Sequence, residues 1–319
     1  MPGEFDLIRR FFSDRPPSRT DTRLGVGDDC ALLRPPAGMD IAVSVDTLVS
    51  GVHFFPEVDP IRLGHKALAV NLSDLAAMGA EPAWATLALT LPESDEAWLT
   101  GFSEGFFRLA NRFGLELVGG DTTHGPLSIT VQVMGLLPQG EALRRSGAKP
   151  GDAIYVSGPL GSAGLGLKTR LKTASTADPS AIQALEQPEP RIELGMTLRG
   201  LASACIDISD GLAQDLGHIL TASHTGAVIE YDRLPLTEVV RQHIAACDDW
   251  ALPLTAGDDY ELCFTVPADK VHQLETRLTE TSLTATRIGR IDSEPGLRIR
   301  GNDHLHSFRP LGYDHFPQR

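Results

Sequence analysis

The sequence has few cysteines and no long apolar segment, and both absences exclude whole classes of protein. Only 4 of its 319 residues are cysteine, none in a Cys-x-x-Cys pair or at a disulfide-like spacing, which argues against a disulfide-stapled secreted domain. No apolar run approaches the length of a membrane span, and the amino-terminal residues lack the apolar core of a signal peptide. We therefore expect a cytoplasmic protein with no membrane contact.

Positive charge is also scarce. The 28 lysines and arginines stand against 42 acidic residues, a formal net charge of -14, which argues against a nucleic-acid partner. A chain of 319 residues exceeds one typical core, so two domains are expected. The polar segment from Pro138 to Gly151 is rich in glycine and proline and is the predicted boundary, giving domains over residues 1–138 and 139–319.

Strand and helix patterns alternate, which predicts an α/β fold. A strand over residues 41–45 is expected to end at Asp46, and Asp59 is expected to cap a helix from Pro60 to about Met78. A second amphipathic helix is predicted from about Ser94 to Phe113. The stretch over residues 168–191 is predicted to be a surface insertion around a weak helix. Further strands are predicted at residues 115–118, 128–137, 153–156, 204–208, 227–231 and 262–266.

Six short motifs carry aspartate, and most of them begin or follow an apolar run. They are Gly27-Asp28-Asp29, residues 44–47, 71–74, 119–123, 207–211 and 257–261. Each one alone is compatible with an ordinary turn. Together they predict carboxylates gathered at one rim of a sheet, where they would repel one another without hard cations between them. Magnesium bound by carboxylates, waters and substrate phosphates fits this pattern, so the motifs indicate phosphate chemistry.

Two of the motifs are hardest to explain as turns. Asp74 lies on a helix that is apolar nearly all round, so its carboxylate is either hydrogen-bonded structurally or bound to a metal. Asp207, Ser209 and Asp210 stand where a predicted strand gives way to a helix. They are either helix caps or a phosphate and metal site at the helix N-terminus.

Three other patterns resemble known motifs less well. The glycine-rich segment over residues 157–167 lacks the Gly-Lys-Ser/Thr ending of a phosphate loop, so close helix–strand packing explains it better. Residues 101–105 match G-x-S-x-G but fall inside the predicted second helix, so we reject a hydrolase nucleophile there. Arg144 and Arg145 are either solvated or bind a nucleotide phosphate.

The ordered set of motifs resembles the thiamine-monophosphate kinase family of the aminoimidazole-ribonucleotide-synthetase-like superfamily. The segments that carry the resemblance are GVGDDCALL, VSVDTLVSGVHF, KALAVNLSDLAAMGAEPAW, LVGGDTTHGPL, RSGAKPGDAIYVSG, IDISDGL and DDYELCF, and it covers nearly the whole chain. The resemblance implies a two-domain α/β (α+β) fold. It also implies a homodimer in which the N-terminal sheet pairs with that of a second subunit, and a C-terminal domain that completes the nucleotide and substrate sites.

The resemblance further implies the chemistry. The γ-phosphoryl group of ATP, the co-substrate, would pass to thiamine monophosphate with the help of several Mg²⁺ ions. The implied metal ligands are Asp29, Ser44, Asp46, Asp74, Asp121, Asp207 and Asp210. The implied ATP contacts are Gly120, Asp121, Arg145 and Ser209. The implied thiamine-phosphate contacts are His53, Asp258 and Tyr313.

Two positions depart from the family pattern, because Val45 replaces a frequent threonine and Asp258 a frequent glutamate. The acceptor phosphate is largely ionised at neutral pH, so direct in-line transfer without a general base is expected.

Another ATP-dependent synthetase or kinase of the superfamily is the nearest alternative, although the first cysteine, Cys30, is not the N-terminal reactive residue of a selenophosphate synthetase. A metal-dependent phosphohydrolase and a non-enzymatic cation-binding module are the others.

Overall fold

A computed structural model describes residues 4–13, 19–175, 177–301 and 304–308 of the chain. The described chain divides into two compact units. The N-terminal unit comprises the chain up to Leu75 together with Ala80–Gly140. The C-terminal unit comprises Ala76–Gly79 and the chain from Glu141 onward. In the part of the chain that is described, no helix has the length and apolarity needed to cross a bilayer.

The N-terminal unit contains a short ribbon and a four-stranded sheet with the order β3-β6-β4-β5. Strand β4 runs parallel to β5, whereas β6 runs antiparallel to both β3 and β4. Its elements are α1 (Glu4–Ile8), a π-helical turn (Arg9–Ser13), β1 (Thr22–Leu24), β2 (Leu32–Leu33), β3 (Met39–Val49), α2 (Pro60–Ala77), β4 (Glu81–Leu91), α3 (Glu96–Arg112), β5 (Glu116–His124) and β6 (Ser128–Pro138).

Helix α2 begins at the aspartate cap that the sequence predicts, and α3 begins within two residues of its predicted start, also at an aspartate cap. The Asp59 carboxylate accepts the backbone N–H of Ile61 at 2.8 Å, and the Asp95 carboxylate accepts the N–H of Ala97 at 2.8 Å. These bonds satisfy donors that have no partner within the helix. Most of α2 is buried, as its apolar circumference predicts. The predictions of both helices are confirmed.

Two glycines allow α2 and α3 to pack with their backbones in contact. A Cβ atom on Gly64 would overlap the carbonyl oxygen of Phe102, and one on Gly105 would overlap the carbonyl oxygen of Ile61. Ser103, the centre of the G-x-S-x-G match, donates its hydroxyl to the Thr100 carbonyl at 3.1 Å within α3. The match therefore reflects helix packing.

Substituting Gly105 by alanine is expected to destabilise the protein. Alanine favours a helix by about 1 kcal/mol relative to glycine, which alone would stabilise the variant. Overpacking a closed contact, however, costs about 1–3 kcal/mol or more. At this position the new methyl group would meet backbone atoms, which cannot rotate away as a side chain could. Gly25→Ala is the control, because a Cβ there would lie 3.9 Å from its nearest neighbours. Denaturant unfolding should separate the two variants, and equal midpoints would contradict this packing.

The C-terminal unit contains a seven-stranded mixed sheet with the order β13-β12-β9-β11-β7-β10-β8. Among its described strands, only β12 and β9 are parallel neighbours. Its strands are β7 (Ala153–Val156), β8 (Ala204–Asp207), β9 (Gly226–Glu230), β10 (Leu262–Val266), β11 (Thr286–Asp292), β12 (Gly296–Gly301) and β13 (His304–Phe308). Its helices are α4 (Ser162–Arg170), α5 (Pro179–Glu186), α6 (Ile192–Thr197), α7 (Leu212–Ser223), α8 (Glu238–Cys247), α9 (Leu252–Thr255) and α10 (Val271–Thr281), with 3₁₀ turns at Tyr231–Arg233 and Ala268–Lys270.

Two sequence predictions about the elements are wrong. The strand expected over residues 41–45 does not end at Asp46, because pairing with β6 continues to Val49 opposite Ser128. The stretch over residues 168–191 contains the predicted helix, but it is not only a surface insertion. Within it, α5 buries Ala181 against Leu165 of α4. The α/β fold class itself is confirmed, with helices and sheets in both units.

Candidate functional site

A cluster of polar side chains joins strand β3 to helix α2 in the N-terminal unit. The Ser44 hydroxyl donates to the Asp74 carboxylate at 2.5 Å, and the backbone N–H of Asp46 donates to the Asn71 side-chain oxygen at 3.0 Å. The Asn71 amide in turn donates to the Ala67 carbonyl at 3.0 Å. We call Ser44, Asp46, Asn71 and Asp74 the β3–α2 cluster. Because strand side chains alternate between faces, Val45 points away from it.

The two carboxylates of the β3–α2 cluster repel each other. Desolvation, and then the negative charge of Asp74, raises the pKa of Asp46 to about 6. Ionising both groups without a cation is therefore unfavourable. Within the described ranges, no three acidic, histidine or cysteine side chains form a cage for a metal. Magnesium needs only one or two carboxylates when waters and phosphates complete its shell, so this all-oxygen cluster fits Mg²⁺.

Asp29 and His53 lie in loops on either side of β3. Asp29 is exposed, and its backbone N–H donates to the Asp28 carboxylate at 2.8 Å. His53 is half-buried in the turn after β3, where its Nδ1 accepts the backbone N–H of Val49 at 3.0 Å. In the neutral ring this bond leaves the proton on Nε2.

Gly120 and Asp121 lie on β5, at the opposite edge of the sheet from β3. Asp46 pairs with Val131, which pairs with Leu87, which pairs with Gly120. Three steps between strands correspond to about 14 Å. Asp121 therefore does not join the β3–α2 cluster within this sheet. A Cβ at Gly120 would overlap the Leu87 carbonyl oxygen, so glycine is needed there.

In the C-terminal unit the candidate ligands lie between β8 and α7. Asp207 is the last residue of β8 and is buried, whereas Ser209 and Asp210 are half-buried in the loop that follows. The backbone N–H of Asp210 donates to the carboxylate of Asp215 at 3.0 Å. Asp215 was not singled out by the sequence, although its place in the first turn of α7 is a recognisable capping signal.

The loop that carries Asp258 lies directly against this β8–α7 loop. The N–H of Asp258 donates to the Ser209 carbonyl, and the N–H of Tyr260 donates to the Ile208 carbonyl, both at 2.8 Å. Asp258 and Tyr260 have φ values of 66° and 48°, left-handed conformations that are costly for residues with side chains. The fold therefore holds these two motifs together at the cost of backbone strain.

Glu261 ends the last motif and is neutralised by an arginine that the sequence did not reveal. Arg191 donates its Nε to Glu261 Oε2 at 2.7 Å and a terminal nitrogen to the other oxygen. Ser157 also donates to this carboxylate, while its oxygen accepts the Leu262 N–H at 2.7 Å. A Cβ at Gly158 would overlap the carboxylate. The glycine-rich turn thus packs against Glu261.

Two predicted site residues have little described environment. Arg145 is exposed at the start of the C-terminal unit. Tyr313 lies outside the described residues.

Comparisons with known proteins cover nearly the whole chain. Residues 27–137 match the model of the AIR synthase related protein N-terminal domain, and residues 149–302 match that of the C-terminal domain. The chain is 49% identical to thiamine-monophosphate kinase of Salmonella typhimurium over 98% of both chains. It is 33% identical to that of Bacillus subtilis over 98% of this chain and 99% of the other.

Solved structures agree with this assignment. A crystal structure of thiamine-monophosphate kinase from Stenotrophomonas maltophilia aligns with a TM-score of 0.83 and 46% identity, over 90% of this chain and 93% of that one. AaThiL complexed with AMPPCP and TMP aligns with a TM-score of 0.78 and 29% identity, over 98% and 97%. Hydrogenase maturation protein HypE, at 23% identity and a TM-score of 0.80, shares the fold.

Proposed function

Because this chain belongs to the thiamine-monophosphate kinase family, we propose that it transfers the γ-phosphoryl group of ATP to thiamine monophosphate, giving thiamine diphosphate and ADP. The binding of an ATP analogue together with TMP by the related AaThiL supports both substrates. The observation in this chain that carries the proposal is the β3–α2 cluster. It holds two carboxylates and a hydroxyl within reach of one another, and they suit a cation that binds phosphates.

We propose that aspartates of each unit, together with Ser44, bind Mg²⁺. In the N-terminal unit the ligands are Asp29, Ser44, Asp46, Asp74 and Asp121, and in the C-terminal unit they are Asp207 and Asp210. Bound Mg²⁺ would neutralise charge on the phosphates and on the group in transfer. The side chain of Val45 points away from the β3–α2 cluster, so the absence of a threonine hydroxyl there leaves the other ligands intact. Any contact from this position would come from its backbone carbonyl.

The remaining site residues would bind the two substrates. We assign ATP contacts to Gly120, Asp121, Arg145 and Ser209, and thiamine-phosphate contacts to His53, Asp258 and Tyr313. The hydrogen bonds from the Asp258 loop to residues 208 and 209 support an arrangement in which acceptor and donor residues are fixed against each other. Such fixed positioning favours transfer between two polyanions.

Transfer would be direct and in line, without a phospho-enzyme. The acceptor phosphate has a second pKa near ~6 and is already a nucleophile at neutral pH, so no residue of this chain needs to remove a proton from it. The contribution of the chain is then to bind, orient and exclude water. A rapid-quench experiment with γ-labelled ATP should trap no labelled protein. A covalent aspartyl phosphate formed at the rate of turnover would refute direct transfer.

The activity is tested most simply by ADP release. We expect ADP to form from Mg-ATP only when thiamine monophosphate is present, and EDTA to stop its formation until Mg²⁺ is restored. Free thiamine is the matched acceptor control, because it lacks only the phosphate. ADP formation without any acceptor would favour a phosphohydrolase instead.

We propose that the enzyme is a homodimer joined through the N-terminal sheet. Three apolar side chains alternate along the edge strand β3 and are 44%, 56% and 57% exposed; they are Ile41, Val43 and Val45. An exposed apolar edge strand invites pairing with another chain. Pairing between two copies also offers a way to bring opposite sheet edges, and with them Asp46 and Asp121, together.

Substituting Val43 by glutamate is expected to weaken the dimer, because it places a charge within the apolar stripe of β3. Light scattering should give twice the monomer mass for the wild type and a shift toward the monomer for the variant. Leu171→Glu is the control, since Leu171 is 55% exposed but lies in the C-terminal unit. A monomeric wild type, or an unchanged mass in Val43→Glu, would refute this interface.

A cytoplasmic location is also proposed. All four cysteines are free thiols, two buried in the C-terminal unit and two exposed at Cys30 and Cys247. A reducing compartment would keep them so.

A further inference from the structure

The β8–α7 loop, defined as residues 208–211, bends its backbone toward a single buried carboxyl group. Asp215 is 2% exposed and accepts the N–H of Asp210 at 3.0 Å. The backbone N–H groups of Ser209 and Gly211 lie near the same carboxyl group. Successive N–H groups that converge in this way form a nest that binds anions. Here the accepting group is a carboxyl group of the chain itself, from the first turn of α7.

The conformation of this loop depends on close backbone contacts. Gly211 has a φ of 113°, and a Cβ on it would lie 2.8 Å from the Thr255 backbone. On the other side, a Cβ on Gly257 would overlap the Ser209 carbonyl oxygen, which accepts the N–H of Asp258. Ser209 and Asp210 are therefore fixed from two sides, Asp210 by the Asp215 carboxyl group and Ser209 by the Asp258 loop.

A second helix N-terminus in the same unit shows the same feature. The carboxylate of Asp259 accepts the N–H of Gly161 at 2.8 Å and that of Ala163 at 3.4 Å, at the start of α4. The N-termini of α4 and α7 follow β7 and β8, where many nucleotide-binding proteins bind phosphate through backbone N–H groups. In this chain a carboxylate already occupies both positions.

We propose that Asp215 is a positioning residue of the kinase reaction: it fills the nest of the β8–α7 loop and fixes Asp207, Ser209 and Asp210 for cation and nucleotide binding. This inference rests on the proposed function of these three residues. It implies that ATP phosphates do not bind the backbone N–H of Asp210, which Asp215 already accepts. They would contact side chains and cations instead, in contrast to a phosphate-binding helix N-terminus.

The first test uses Asp215→Asn, which keeps the size of the side chain but replaces one acceptor oxygen by an N–H donor group facing the nest. Electron paramagnetic resonance would follow Mn²⁺ binding to the full chain in the presence of ATP. We expect binding to weaken by about 10–100-fold, the usual effect of losing a residue that orients ligands. The Mg²⁺ concentration for half-maximal ADP formation should rise in parallel.

Asp152→Asn is the matched control. Asp152 is also a buried carboxylate of the C-terminal unit, 5% exposed, and it accepts the Lys149 N–H at 3.0 Å and the Ser203 hydroxyl at 2.6 Å. It holds no candidate ligand, so its variant should lose stability without losing Mn²⁺ affinity. Unchanged Mn²⁺ binding in Asp215→Asn, or an equal loss in both variants, would overturn the positioning role.

The wild type provides a second test that does not depend on a variant folding. Hydrogen exchange at the amide of Asp210, which donates to Asp215, should be slow before ATP is added, and ATP with Mn²⁺ should leave it nearly unchanged. An Asp210 amide that exchanges rapidly until ATP protects it would show that this N–H binds phosphate, and would overturn the inference. A wild type with a slowly exchanging Asp210 amide but no acceptor-dependent ADP formation would refute the proposed function alone.

Discussion

Replacing Asp46 by asparagine is expected to lower turnover by at least about 10²–10³-fold, the size of effect seen when a charge-stabilising group is lost from an active site. The variant keeps the backbone N–H that donates to Asn71, so the β3–α2 cluster should retain its shape. It loses the charge that a cation needs. Turnover of Mg-ATP and thiamine monophosphate, measured by ADP release, gives the effect. Asp121→Asn should lower turnover to a similar extent.

Stability should move in the opposite direction from activity in Asp46→Asn. Burial and Asp74 hold the folded pKa of Asp46 at about 6, above its ordinary value of 3.8. The ionised group therefore opposes folding in the metal-free protein, and this cost appears as pH rises from about 4 to 6. The neutral variant should be at least as stable as the metal-free wild type at pH 7. Asp40→Asn is the control, because Asp40 is exposed on the same strand.

The activity measurements also have an outcome that would contradict them. Wild-type rates in both Asp46→Asn and Asp121→Asn would remove the metal-site hypothesis.

Replacing Arg191 by methionine is expected to lower the free energy of unfolding by up to about 3–5 kcal/mol, the cost of leaving a buried charge without its partner. The Arg191 side chain is itself 33% exposed, so the buried Glu261 carboxylate accounts for most of this cost. Methionine keeps much of the apolar stem but leaves the Glu261 carboxylate, whose side chain is 7% exposed, without its cation. The remaining Ser157 hydroxyl cannot compensate a full charge. Chemical denaturation of the full chain gives the measurement.

Two further variants identify the cause of that loss. Arg108→Met breaks a pair whose side chains are 61% and 54% exposed, so it should change stability by less than about 1 kcal/mol. Adding Glu261→Gln to Arg191→Met removes the stranded charge and should restore part of the stability. If Arg191→Met is no more harmful than Arg108→Met, the Arg191–Glu261 pair does not stabilise the fold.

Local signals explain which elements the sequence predicts well. The starts of α2 and α3 depend on an aspartate and the residues next to it, so a short stretch of sequence is enough to predict them. Strands β7 and β10 are short apolar runs, and their predicted bounds agree with the structure. The sequence predicts a β3 that is too short, because aspartate disfavours strands. In the structure Asp46 lies inside β3, since pairing with β6 continues past it. Long-range pairing thus overrides a local preference.

The candidate site likewise combines residues that local motifs reveal with contacts that only the fold creates. The motifs that carry Ser44, Asp46 and Asp74 are visible in the sequence, but their contact across β3 and α2 comes from the fold. Their distance from Asp121 follows from the strand order, which no local pattern encodes. Arg191 and Glu261 are 70 residues apart, and Ser157 and Glu261 are 104 apart, so neither contact leaves a local signal. Asp215 is different, because a carboxylate in the first turn of α7 could have been recognised as a cap.

The central claim is that a phosphate ester is the acceptor, and phosphorus NMR tests it directly. Mg-ATP is incubated with the enzyme and either thiamine monophosphate or free thiamine, and the spectra are followed to completion. The account predicts that the monophosphate signal is replaced by the paired signals of a diphosphate ester as ADP appears, and that free thiamine gives no phosphorylated product. Phosphorylation of free thiamine, inorganic phosphate as the product, or no reaction with either acceptor would contradict it.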